Sequence, residues 1–218
     1  MKILHPDICL SIGNMRYEDI FPYLKVAALA EIRLDLLNLT DEQIRGLFTA
    51  HGNLIATYRC NDSAKMFQTL TNTLDSGAAF VDVDCLTENS IRDAIVAKAK
   101  GLNRRVIISY HNFECTPNKE ELERIIYSMK SQGADICKVA CMANEPLDCS
   151  RVMALYEHIP DLVAFCMGDA GKITRLAAPI LGAPFTYASV AGASTAPGQL
   201  DYLKMEEYLN YFLPLNHD

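Results

Sequence analysis

The sequence predicts a (β/α)₈ barrel, a TIM barrel in the α/β class, spanning 1–218 as one domain. Three observations predict it. A short apolar or β-branched run followed by a helical stretch recurs eight times. The runs start roughly 22 to 31 residues apart, which is room for one strand, one helix and two short loops. The count of eight, with no break in composition, favours a closed barrel over an open doubly wound sheet. The length of 218 residues is near the lower end for this fold, and half of them are hydrophobic.

The expected strands are 7–12, 30–35, 54–59, 80–84, 106–111, 136–141, 162–168 and 185–190. Between the second and third, Thr40 followed by Asp41, Glu42 and Gln43 reads as a capping box before a helix to about Ala50. Thr87 or Asn89 is placed to cap a helix to Lys100, with Gly101 just past its end. Thr116 and Pro117 read as N-cap and first residue of a helix to about Gln132. Gly77, Gly133 and Gly182 are placed to stop three more helices. A last helix over 201–212 is followed by Pro214.

Composition excludes several classes. The net charge of −7 gives no global basic footprint for nucleic acid. No stretch reaches the apolar length of a membrane helix, and the N-terminus does not read as a signal peptide. The expected location is the cytoplasm. Eight cysteines occur without a CxxC pair, most beside apolar residues, so buried free thiols are expected rather than disulfides or a metal centre.

The polar parity of the strands is where chemistry is expected. Glu31, Arg33 and Asp35 share one face, opposite Ile32, Leu34 and Leu36. Asp82 and Asp84 oppose Val81 and Val83. Ser109 and His111 alternate with Ile108 and Tyr110. Lys138 shares a face with Ile136 and Ala140. Arg59 ends the third run, and Ser11 lies near the end of the first. These groups gather at the C-terminal ends of strands, where this fold carries its active site. Lys138 sits among apolar neighbours, where desolvation and nearby arginines would free its amine as a nucleophile towards a carbonyl. His111 can move protons in both directions near neutral pH. Together they suit a β-elimination of water through a Schiff base. Arg175, just inside a helix after MGDAGKIT, suits a carboxylate or phosphate. The segment 194–199 reads equally as a lid or as a plain connection.

In order, EIRLD at 31–35, ATYR ending at Arg59, FVDVD at 80–84, SYHNFECTP at 109–117, ADICKVA at 134–140, MGDAGKITR at 167–175 and TAPGQ at 195–199 resemble type I 3-dehydroquinate dehydratase. The resemblance implies a hydro-lyase that converts 3-dehydroquinate to 3-dehydroshikimate in the shikimate pathway to chorismate and aromatic amino acids. It implies an imine on Lys138, with His111 as general acid and base. It implies a carboxylate clamp at Arg175, and ring and hydroxyl contacts from Glu31, Arg33, Arg59, Thr195 and Gln199, with Ser11 beside them. It also implies a homodimer that uses no metal and no organic cofactor.

Three departures stand out. The family's Glu-Gly-Gly after the third-strand arginine, whose Glu orients the histidine, is replaced by Cys60-Asn61-Asp62. Asp62 and Asp84 are the candidates for that task. Asn112 replaces an Asp, and Thr195 replaces a Ser. The missing Glu keeps open a weakened homologue that binds a carboxylated ligand, and the lysine alone also fits another Schiff-base barrel such as a class I aldolase.

Overall fold

The computed structural model describes residues 5 and 7–213, and within them the alternation predicts the architecture correctly. The strands are β1 (Ile8–Ile12), β2 (Leu29–Arg33), β3 (Leu54–Thr57), β4 (Phe80–Asp84), β5 (Arg105–Asn112), β6 (Ile136–Met142), β7 (Leu162–Met167) and β8 (Thr186–Ser189). The helices are α1 (Tyr17–Leu24), α2 (Asp41–Ala50), α3 (Ser63–Asp75), α4 (Asn89–Gly101), α5 (Lys119–Ser131), α6 (Pro146–Met153), α7 (Lys172–Ile180) and α8 (Tyr202–Phe212). All eight strands run parallel in the order β7-β6-β5-β4-β3-β2-β1-β8. No ladder joins β7 to β8 among the described residues. There Phe165 and Tyr187 meet edge to face across the seam, 6.0 Å between centroids.

Strand parity divides the core into two layers. Ile32, Val81, Val83, Ile108 and Val139 face outward and pack under the helices. Cys9, Leu29, Ile55, Phe80, Ile107, Ile136, Val163 and Phe165 face inward and plug the barrel. The inward stack is apolar low in the barrel and turns polar towards the C-terminal strand ends. On β4 that is the step from Phe80 to Asp82, and on β6 from Ile136 to Lys138.

Local signals hold with exceptions. Thr40 and Gln43 form the expected capping box: Gln43 N–H donates to Thr40 Oγ1 at 3.3 Å and Thr40 N–H to Gln43 Oε1 at 2.9 Å. Gly77, Gly133 and Gly182 follow the ends of α3, α5 and α7. The cap of α5 is Asn118, not Thr116, because Asn118 accepts from Glu121 N–H while Thr116 Oγ1 donates to Met142 O. Helix α4 starts after Glu88 without a side-chain cap, so neither Thr87 nor Asn89 caps it, and Gly101 is its last residue. β3 stops at Thr57, two residues before Arg59, and Asp35 lies in a 3-10 turn over Leu34–Leu36 rather than in β2. Asp201 is the N-cap of α8 and not its first residue. Pro214 lies outside the described residues. All eight cysteines are free, but only Cys9, Cys137, Cys141 and Cys166 are buried, and Cys115 is exposed.

Replacing Thr40 with Ala removes the hydroxyl that accepts from Gln43 N–H and leaves only the bond from the backbone N–H to Gln43 Oε1. The expected cost is about 1 kcal/mol of stability, read as a shift in the denaturant midpoint with unchanged m-value.

Candidate active site

The C-terminal mouth of the barrel opens into a cavity of about 300 Å³. Its walls include Glu31, Arg33, Arg59, Asp84, His111, Lys138, Arg175, Thr195 and Gln199, so most of the residues singled out by sequence converge there.

Lys138 is 6 % exposed and points inward from β6. Its Nζ donates to Asp82 Oδ2 at 3.0 Å and Glu31 Oε1 at 3.5 Å. The expectation of arginines pressing directly on this amine is therefore corrected: its nearest charged groups are carboxylates. A buried cation without such partners would be costly. The two carboxylates are themselves held. Ser11 Oγ donates to Glu31 Oε2 at 2.6 Å and Thr57 Oγ1 to Glu31 Oε1 at 3.0 Å. Arg59 pairs with Asp82 Oδ1, and Ser109 Oγ donates to the same oxygen at 2.6 Å. Burial works against the Asp82 carboxylate, yet Arg59 and Lys138 outweigh it and hold its pKa far below the usual range. Glu31 is likewise lowered, Lys138 and Arg33 overcoming its burial.

His111 lies two residues beyond Ser109 on β5, on the same inward face. Its Nδ1 is 3.2 Å from Asp84 Oδ2. The register explains the reach: Asp84 pairs with Ser109 on the neighbouring strand, so both side chains emerge at the same rim. Asp62 does not take this place. Its carboxylate caps α3, accepting from Lys65 N–H at 3.0 Å. Burial, helped by the charges of Lys138 and Arg59, lowers the His111 pKa below the usual imidazole value despite the bond to Asp84. Its surroundings thus favour the neutral imidazole, and Nε2 is the nitrogen not engaged by Asp84. Phe113 stacks on it, 6.2 Å between centroids and 13° between planes.

The three arginines differ in what they lack. Arg33 is bound in a fork to Asp35, at 3.0 and 2.7 Å. Arg59 is committed to Asp82. Arg175, in the first turn of α7, is 1 % exposed and lies 4.1 Å over the Phe165 ring. Its Nη2 donates to Pro197 O at 3.1 Å, but Nε and Nη1 have no partner among the described residues. Burial pulls its pKa down to about 10, so it remains charged at neutral pH. It offers two buried donors and a positive charge without a carboxylate to meet them. Gly171 sets the start of α7, because a Cβ there would lie 2.6 Å from the Cys166 and Met167 backbone.

The segment 194–199 is folded onto the site. Gln199 Oε1 accepts from Thr195 N–H at 2.8 Å, Ala196 N–H at 3.1 Å and the hydroxyls of Thr195 and Ser194. Arg33 Nη1 donates to Thr195 O at 3.2 Å, and Thr195 Oγ1 lies 2.7 Å from Ser11 Oγ. Gly198, at φ 72°, passes so close to Gly168 that a Cβ would sit 2.5 Å from its carbonyl oxygen. Ser11 is fully buried behind Glu31 and Thr195 and does not line the cavity, so its place is support rather than wall.

Sequence reasoning left out Tyr187, Phe165, Met167 and Phe113, which also line the cavity. Parity on β7 and β8 carries the signal for the first three: Val163, Phe165 and Met167 share a face, as do Phe185 and Tyr187. Phe113 lies beyond the end of β5, where parity no longer applies.

A family model described as type I 3-dehydroquinase matches residues 15–215. The chain is similar to the 3-dehydroquinate dehydratase of Methanococcus vannielii, 33% identical over 195 residues that cover 86% of this chain and 89% of the relative. It is 36% identical over 201 residues to that of Methanothermobacter thermautotrophicus, covering 86% of each. Among solved structures, the type I enzyme of Clostridium difficile with covalently modified comenic acid superposes with a TM-score of 0.83 at 22% identity, covering 95% of this chain and 92% of that one. The Aquifex aeolicus 3-dehydroquinate dehydratase gives 0.79 at 25% identity, covering 95% and 99%.

Asp84→Asn removes the bond that raises the His111 pKa, so the His111 midpoint should move to still lower pH in an NMR titration. Asp62→Asn should leave that midpoint in place.

Proposed function

The chain belongs to the type I 3-dehydroquinase family, and we propose the route by which it dehydrates 3-dehydroquinate to 3-dehydroshikimate: an imine on Lys138, with His111 moving the protons. The activity is that of a hydro-lyase in the shikimate pathway.

The resting Lys138 ammonium sheds one proton, its amine adds to the substrate ketone, and the carbinolamine takes a proton back as its hydroxyl leaves as water, giving a protonated imine. That cation acidifies the neighbouring C–H. Neutral His111 takes the proton, and the electron pair moves into an enamine. The enamine expels the β-hydroxyl, which leaves as water with the proton His111 has just received. A second water then hydrolyses the imine and returns the amine. The water lost in forming the imine is regained in its hydrolysis, so one water is eliminated overall.

One observation carries the assignment of the acid terminus. Arg175 has two buried donors without partners in the same cavity as the Lys138 amine. An unmet guanidinium is what a substrate carboxylate would complete. Arg33 and Arg59 are less suited because Asp35 and Asp82 already hold them. In this reading Glu31, Arg33, Arg59, Thr195 and Gln199 position the ring and its hydroxyls, and Ser11 braces Glu31 and Thr195. Asp84 fixes the ring of His111 in the role the family gives to a Glu from the third strand. The family match over residues 15–215 argues against the aldolase reading, and Asp84 beside His111 supplies the acid whose absence motivated the ligand-binding reading.

No group of three metal-ligating side chains occurs among the described residues, and none of the steps above uses a metal or an organic cofactor. No described helix is long and apolar enough to cross a membrane. We further propose a cytoplasmic protein with 1–218 acting as one catalytic domain, and a homodimer in keeping with the family resemblance.

Borohydride added with 3-dehydroquinate should attach the reduced adduct to Lys138, identified by peptide mass spectrometry, and Lys138→Ala should abolish it. Folded wild-type protein that yields no adduct would refute the imine route. Arg175→Gln should raise KM roughly 10- to 100-fold, the worth of a buried charged hydrogen bond. An unchanged KM would move the carboxylate elsewhere.

A further inference from the structure

We propose that the aromatic ring of Tyr187 is a catalytic group of this site, its face holding the charged nitrogen of Lys138, first as ammonium and then as iminium. The inference rests on the Schiff-base route above and adds to it a residue that route does not use.

The Lys138 Nζ lies 4.2 Å from the centre of the Tyr187 ring. Tyr187 comes from β8, two strands round the barrel from β6 with β7 between them, and is 2 % exposed. Its orientation is set by two neighbours packed edge to face, Phe165 at 6.0 Å and Phe185 at 5.5 Å. The ring is therefore a fixed surface. Its hydroxyl is buried and has no hydrogen-bond partner among the described residues. A buried orphan hydroxyl is unfavourable by itself. What the residue contributes to Lys138 is thus its face and not its oxygen.

A ring face does something the carboxylates cannot. The ammonium has three N–H donors, and Asp82 and Glu31 take two of them. The iminium keeps one N–H, so at most one of those hydrogen bonds survives. Attraction between a cation and the ring quadrupole needs no N–H. It also accepts no proton, so it cannot drain the charge on which the acidified C–H depends. Tyr187 thereby offers the nitrogen one surrounding that remains the same on both sides of imine formation.

The test is a fluorination series at position 187, because fluorine weakens the ring quadrupole while changing its shape little. Tyr187→Phe, which keeps the face, should trap with 3-dehydroquinate and borohydride within about twofold of wild type. Mono-, di- and trifluorinated phenylalanine at 187, compared at a pH high enough that the resting amine is neutral and only the iminium is cationic, should slow trapping stepwise, by roughly threefold to thirtyfold in total, at unchanged melting temperature. In the ligand-free protein, acylation of Lys138 by acetic anhydride at fixed pH should speed up along the same series as the ammonium loses support. A flat series in both assays overturns the proposal. So does a Tyr187→Phe variant as slow as Tyr187→Leu, which would transfer the role to the hydroxyl. If wild type forms no adduct at all, the Schiff-base route fails, while the acylation series still decides whether the ring holds the ammonium.

Discussion

An amine buried inside a barrel dictates the rest of this site. Lys138 sits on an inward face with almost no contact with water. Desolvating a cation costs several kcal/mol unless opposite charge and hydrogen bonds meet it. Asp82 and Glu31 meet it here, and each brings its own requirement. Glu31 needs the hydroxyls of Ser11 and Thr57, and Asp82 needs Arg59 and Ser109. Five strands besides its own thus contribute to the surroundings of one nitrogen. The apolar floor of the barrel beneath them keeps water out, which is why these pairings are strong.

The acid behind His111 shows how the same constraint can be met by different chain segments. The family pattern reaches the histidine with a Glu after the third strand. In this chain the segment after Arg59 starts α3 instead, and Asp62 is used as its cap. The neighbouring strand supplies the acid. In parallel register Asp84 stands beside Ser109, one inward step before His111, and a short arm is enough at that distance. Asp84 pays for its own burial through that bond and the charge of Arg59, which together hold it below the usual carboxylate range.

Selectivity among the cationic side chains follows from which of them are already matched. Arg33 and Arg59 form part of the wall's own charge balance. Arg175 does not, since its neighbours are an aromatic face and one carbonyl. Leaving a guanidinium buried with two donors unmet by protein groups is unfavourable for the folded chain, and a substrate carboxylate accounts for it in the proposed route. The segment 194–199 joins the two kinds of arginine, binding Arg33 through Thr195 O and Arg175 through Pro197 O. Its shape is closed around the Gln199 amide oxygen. It reads better as a formed wall than as the plain connection that its composition equally allowed.

By itself the sequence determined the barrel and the inward residues of its strands. Eight alternations and a period of two are local properties, readable wherever a strand is flanked by helices. That is why Lys138, His111, Glu31, Arg33, Arg59 and Asp84 were legible before any coordinates. Only the tertiary structure decided which charges pair. Asp62 and Asp84 are both short acids near the right place in the chain, and register between β4 and β5 chose Asp84. Lys138 was read with arginines for neighbours, and barrel closure put carboxylates there instead. Parity alone puts Tyr187 on an inward face, but its partner Lys138 is more than forty residues away, two strands round the barrel. Pairing across a barrel depends on how strands are staggered and closed, and no local pattern encodes that.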